Sequence, residues 1–298
     1  MQPAKPKPSE VAAEAKRTYI PYIEQNFPQF PATSRGYSDS SAIRIKPDLG
    51  IEKRRLRIAV IDGGPVDVAL DWYDYERKSA ERDMASGTLK PLPMAIPVVN
   101  MANEKRPGGD WESGLMAPEE NLCRRSNLVH TLVTTNTGYS HYPIPQTGGI
   151  YSPHVVVFRD GPDRYQVWKD FKSLPVISVA PVRRPKLDES GTRYSFDQEK
   201  ELMQEKIRTV LRIAAANQHK ELCVGAFGVG PGFRNPVAEI AAMWKDVLFS
   251  EKEFSGAFTN IVFAVESSQT GNAKGGVTDH EVFKTQFSPS NLFQSTYV

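Results

Sequence analysis

The segment RPGGDWESGLMAPEENLCRRS, residues 106–126, sets two glycines ahead of two adjacent acids. Gly108 and Gly109 allow backbone to approach a ligand without side-chain interference. Seven residues, Trp111 to Ala117, separate Asp110 from Pro118, Glu119 and Glu120 at the head of an expected helix. Neighbouring carboxyl groups there suit general acid–base work on a bound sugar or phosphate. They also suit a purely structural use, because acids in a first helical turn are favoured by the helix dipole. The preceding MAIPVVNMAN (94–103) predicts a buried apolar strand ending in Asn100 and Asn103. Amides at a strand end hold ligands, but Asn103 equally suits an Asx turn and Asn100 a strand cap.

A second glycine-rich element, GAFGVGPGFRNP (225–236), lies between an expected strand and helix. Exposed amides and a helix dipole make such a turn an anion site, so Gly228, Val229, Gly230, Pro231 and Gly232 would wrap a pyrophosphate. A dinucleotide redox fold fits less well. Its ribose-binding acid belongs about 20 residues beyond the glycines, whereas the next strand's terminal acid, Glu266, lies further away. Phe227 ends an apolar strand and suits the core; Phe233 lies further along the loop. Asp62, in VIDGGP, sits between a strand and a helix. Cys123 shares the helical face of Glu120, three residues on, where a small hydrophobe is the ordinary use of a thiol. The histidines at 130, 141, 154, 219 and 280 show no metal-ligand spacing.

These residues need a frame of alternating strands and helices. A Pro- and Lys-rich tail (1–8) precedes a helix from about Glu10 to Gln25, with Ser9 as its cap. RLRIAVI (55–61) predicts a strand, and residues 66–86 a long helix behind Pro65. LPVISVA (174–180) and ELCVGAF (221–227) predict strands around a helix over 196–219, and Asn235 with Pro236 starts the next helix. AFTNIVFAVE (257–266) returns as a strand, SSQTGNAKGG (267–276) reads as a loop, and a short helix covers 279–286. Such alternation predicts an α/β fold with a mixed, mostly parallel sheet covered by helices on both sides. The expected division is a tail (1–8), an N-terminal accessory helical segment packed on the core (9–54), and the core itself (55–298).

With 298 residues, 40% hydrophobic and 24% charged, the chain has the composition of a soluble globular protein. A net charge of +2 gives no overall field for nucleic acid or membrane, and the run Lys53-Arg54-Arg55 reads as a solvated edge. Cys123 and Cys223 form neither a disulfide framework nor a zinc motif. Without a signal-type apolar segment or a run of about 18 apolar residues, a cytoplasmic or nuclear location is expected.

The order of strand, N-x-x-N, glycine loop and Glu-Glu helix resembles the microbial poly(ADP-ribose) glycohydrolases of the macrodomain superfamily. VAAEAKRTYI, GGIYSPHVVVFRDG (148–161), LPVISVAPVRRP (174–185) and residues 221–248 resemble that family in the same order. The resemblance implies a macrodomain-like three-layer α/β/α fold and hydrolysis of an O-glycosidic bond of ADP-ribose without metal or redox cofactor. Glu120 would be general acid and then base, Glu119 would orient the ribose, and Asn100 and Asn103 would hold its hydroxyls. Gly108, Gly109 and the loop 228–233 would bind ligand backbone-first, Phe233 or Phe227 would pack on the nucleoside or distal ribose, and Asp62 would lie on the adenine side. Asp110 stands where the family has a third glycine, and Pro118 where it has glutamine. The implied partner is ADP-ribose, or ADP-ribosylated protein or nucleic acid. A reader that binds without turnover, and an interaction scaffold with a degenerate pocket, are the alternatives.

Overall fold

A computed structural model describes residues 6–45, 56–88, 91–135, 137–267 and 276–292. The basic run at 53–55 and most of the expected 267–276 loop fall outside these ranges. The chain forms two compact units, Met1–Ser40 with Asn100–Ala180, and Ser41–Val99 with Pro181–Val298.

In the first unit, α1 (Pro8–Glu14), a π-helical turn (Ala15–Tyr19) and α2 (Ile20–Asn26) make one continuous helical run. Lys7 is the N-cap and no side chain caps it, so Ser9 is not the cap expected; Pro8 already occupies the first turn. The π turn has a local cause, because Pro21 has no N–H to continue the regular ladder. Tyr19 stacks on Phe158 at 4.9 Å, and Glu14 pairs with the buried Arg159 at 3.0 Å. β1 (Arg35–Tyr37) pairs antiparallel with β4 (Gly149–Arg159), and β4 pairs antiparallel with β5 (Val167–Val179). β5 is far longer than the expected 174–180, since its exposed first half is held by β4 rather than by burial. The β4–β5 register shifts between Ser152 and Val155, around Pro153, which cannot donate to a ladder. α4 (Pro118–Arg125) and α5 (Leu128–Val133) pack beside β4.

In the second unit, β2 (Arg57–Ile61), β6 (Glu221–Val224) and β7 (Asn260–Ala264) are parallel, with Val98 of β3 (Val98–Met101) pairing with Cys223. Alternate residues of these strands face opposite ways. Cys223 donates to the carbonyl of Pro65, the first residue of α3 (Pro65–Ala85), at 3.3 Å. Phe263, one register step over, faces Trp244 of α7 (Val237–Ser250) at 5.5 Å and Phe283 of α8 (Asp279–Gln286) at 5.3 Å. α3 therefore covers one face of the sheet and α7 with α8 the other, which is the layering expected. α6 (Asp197–Ala216) packs on α7 and ends earlier than the expected residue 219. α8 begins at a capping box formed by Thr278 and Glu281. Pro236 rather than Asn235 caps α7, for the Asn235 side chain is spent on the preceding loop.

Phe263 is fully buried between α7 and α8. Phe263→Ala should cost about 3–5 kcal/mol by leaving a cavity, read as a lower urea midpoint; a loss below about 1 kcal/mol would contradict this packing.

Candidate active site

β3 delivers its amides at a fixed place. Its last residues belong to the first unit, where Ala102 N–H donates to the carbonyl of Val179 at 3.0 Å. Asn100 is buried, and its Nδ2 donates to Ser178 Oγ at 3.1 Å and to Glu119 Oε1 at 3.2 Å. Its amide hydrogens are thus spent on bracing a carboxyl rather than left for a ribose. Asn103 adopts the Asx turn, its Oδ1 accepting from the N–H groups of Lys105 at 2.9 Å and Arg106 at 3.1 Å.

That turn aims a row of backbone donors at α4. Asn103 N–H donates to Glu119 Oε2 at 2.6 Å, Gly108 N–H donates to the same carboxyl, and Asp110 N–H donates to Glu120 Oε1 at 3.1 Å. Gly108 and Gly109 have φ of +72° and +57°, the left-handed region that only glycine enters without strain. Space is a second constraint. A Cβ on Gly109 would meet Glu120 Oε1 at 2.5 Å, and one on Gly108 would meet Cys123 Sγ at 3.0 Å. Asp110 has no positive φ, so the third loop position accepts a side chain. Its carboxylate turns to Arg106 at 2.8 Å. Pro118 occupies the first turn of α4, where its missing N–H costs nothing.

The two glutamates are 3% and 6% exposed but differently held. Glu119 accepts three hydrogen bonds, from Asn100, Asn103 and Gly108. Among the described residues Glu120 accepts one, on Oε1. Burial pushes the Glu119 carboxyl up to about 8 against the pull of its three donors. At neutral pH Glu119 holds its proton. The Cys123 thiol is also pushed up by burial, and both cysteines are buried and unpaired.

Two residues outside the sequence reading support the site. Ser178, in the buried half of β5, anchors Asn100. Arg124 is fully buried and ties the loop to the helix, its Nη2 donating to the carbonyl of Ser113 at 2.8 Å. Neither breaks a local pattern strongly enough to stand out in sequence.

In the second unit, Gly228 and Gly230 have φ of +80° and +97°. Asn235 pins the loop through Nδ2 to the carbonyls of Gly228 at 2.7 Å and Val182 at 2.8 Å, and accepts from the Tyr194 hydroxyl. Phe233 is half-buried, whereas Phe227 is fully buried against Trp244 and belongs to the core. Asp62 is exposed, and its carboxylate takes hydrogen bonds from the Ser267 hydroxyl and N–H, which hold it below the usual range. Among the described residues no group of three His, Cys, Asp or Glu side chains could hold a metal, and no helix is long and apolar enough to cross a membrane.

The raised Glu119 carboxyl makes stability depend on pH. The folded chain keeps a proton that the unfolded chain releases from about 4.5, so the contribution is full below that pH and is lost as pH rises to about 8. Unfolding free energy from urea melts should therefore fall more steeply across that window in wild type than in Glu119→Gln; parallel curves would contradict it. Gly109→Ala should destabilise the site through both its φ and its contact with Glu120, lowering the melting temperature measurably; an unchanged melt would count against this geometry.

Residues 57–160 match the family model for the microbial-type PARG, catalytic domain, PARG being poly(ADP-ribose) glycohydrolase. A comparison with curated proteins gives no match. Among solved structures, the chain is similar to poly(ADP-ribose) glycohydrolase from Thermomonospora curvata, at 21% identity over 94% of this chain and 99% of that one, with a TM-score of 0.65. The same protein bound to the inhibitor ADP-HPD aligns at 22% identity over 94% and 99%, with a TM-score of 0.62. Poly(ADP-ribose) glycohydrolase from Deinococcus radiodurans in complex with ADP-ribose aligns at 22% identity over 91% and 98%, with a TM-score of 0.59. The matched segment contains the glycine loop and both glutamates, and the chain shares the α/β fold of those bacterial proteins.

Proposed function

We propose that the protein hydrolyses an O-glycosidic linkage of ADP-ribose, with Glu120 as the general acid and then the general base. The observation that carries this is the unequal grip on the two buried carboxyls: three donors fix Glu119, while among the described residues Glu120 is held through Oε1 alone. A carboxyl that must exchange protons with a substrate needs an uncommitted oxygen, and Glu120 Oε2 is that oxygen.

The chemistry follows from an oxocarbenium-like transition state. Glu120 gives its proton to the leaving oxygen as the bond to the anomeric carbon breaks. As a carboxylate it then takes a proton from water, whose oxygen bonds to that carbon. Glu119, protonated and immobile, orients the ribose without adding a second negative charge. Asn100 acts through Glu119 as a positioning residue, and Asn103 offers its Nδ2 to a ribose hydroxyl. The amides of loop 228–233 suit a diphosphate, Phe233 suits a face of the nucleoside or distal ribose, and Asp62 the adenine side. ADP-ribose, free or attached to a macromolecule, is the ligand.

The test is a panel of substrates with ribose–ribose, acyl-ester and serine-ether linkages, read by release of free ADP-ribose. Glu120→Gln keeps the size and much of the hydrogen bonding of the side chain, so it should bind ADP-ribose as wild type does and lose about 10²-fold or more in turnover. Glu119→Gln should lose less in turnover and more in affinity. Binding of ADP-ribose with no release from any substrate, unchanged by Glu120→Gln, would establish a reader instead.

A further inference from the structure

Asp110 stands beside Glu120 by construction. Its N–H donates to Glu120 Oε1 at 3.1 Å, so covalent reach alone keeps its carboxylate within about 7 Å of that oxygen. The carboxylate is 46% exposed and pairs with the guanidinium of Arg106, itself 61% exposed, at 2.8 Å. Arg106 is placed in turn by its N–H on Asn103 Oδ1 at 3.1 Å and by its carbonyl, which accepts from Gly109 N–H at 3.1 Å. Residues 103–110 thus close as one loop with an ion pair on its exposed surface. A pair this exposed is weak and screened by salt, so it is not what holds the loop together. The hydrogen bonds from Asn103, Gly108 and Asp110 do that.

We propose that the Arg106–Asp110 pair selects the leaving group by charge, favouring ADP-ribosyl linkages to an uncharged group, such as a protein side-chain hydroxyl in neutral sequence, over linkages flanked by anions. The next diphosphate of an ADP-ribose chain belongs to the disfavoured class. This rests on the reading in which Glu120 serves the leaving oxygen. Whatever leaves must then pass close to Asp110, whose carboxylate is tethered near Glu120 by its own backbone. The Arg106 guanidinium has no such tether to Glu120 and offsets only part of that field. One unit charge facing another at about 7 Å in water amounts to about a threefold change in rate.

The test uses the full chain and three probes: two serine-linked mono-ADP-ribosyl peptides, flanked by Asp and Glu or by Asn and Gln, and poly(ADP-ribose). Wild type should release ADP-ribose from the neutral peptide with a kcat/KM up to about threefold above that for the acidic one at low salt. The gap should close near 1 M salt, where screening acts over about 3 Å. Asp110→Asn should close it at low salt and raise the relative rate on poly(ADP-ribose), while Arg106→Gln should widen it. A wild-type ratio of one, or a ratio indifferent to both salt and Asp110→Asn, would overturn the charge-selection inference. Release from none of the three probes would overturn the hydrolase reading itself.

Discussion

Backbone amides of one short loop hold two adjacent buried carboxyl groups, and the local architecture answers to that demand. An unpaired carboxylate is expensive to bury, and two side by side more so. The chain meets the cost by bringing the N–H groups of Asn103, Gly108 and Asp110 onto the first turn of α4. It also leaves Glu119 protonated at neutral pH. Each supporting feature serves this contact. The Asx turn at Asn103 curls the chain, and left-handed glycines let it pass against the carboxyls. Arg124 closes the spacer onto the helix.

The same contact explains why the loop tolerates an acid where the resembling family keeps a glycine. Left-handed conformation and close approach fall on Gly108 and Gly109, whereas Asp110 contributes only its N–H. Its side chain is directed to Arg106. A change of side chain there alters the exposed surface of the loop without altering how the carboxyls are held. Pro118 is neutral for a similar reason: the first turn of a helix has no use for the N–H that proline lacks.

How far such a site can be read from sequence depends on whether the signal is local. The glycine pair, the Glu-Glu helix start and α8 are local, and they lie where sequence places them. Asn235 looks like a cap beside Pro236 but spends its side chain on the carbonyls of Gly228 and Val182, the latter 53 residues away in sequence. The first half of β5 shows no apolar run, because pairing with β4 stabilises it rather than burial. Asn100 reads as a ligand group, and the bracing use of its Nδ2 has no local signal, since one partner, Ser178, is 78 residues distant. The unequal hydrogen bonding of Glu119 and Glu120 has no local signal either, for it depends on which oxygen each amide reaches.

A direct titration of the carboxyl groups tests the central contact. In protein labelled with 13C at glutamate side-chain carboxyls, the spectrum should contain a resonance that titrates near pH 8 and disappears in Glu119→Gln. If every glutamate resonance instead titrates in the ordinary carboxylate range, Glu119 is not buried in this amide cradle and the account is wrong.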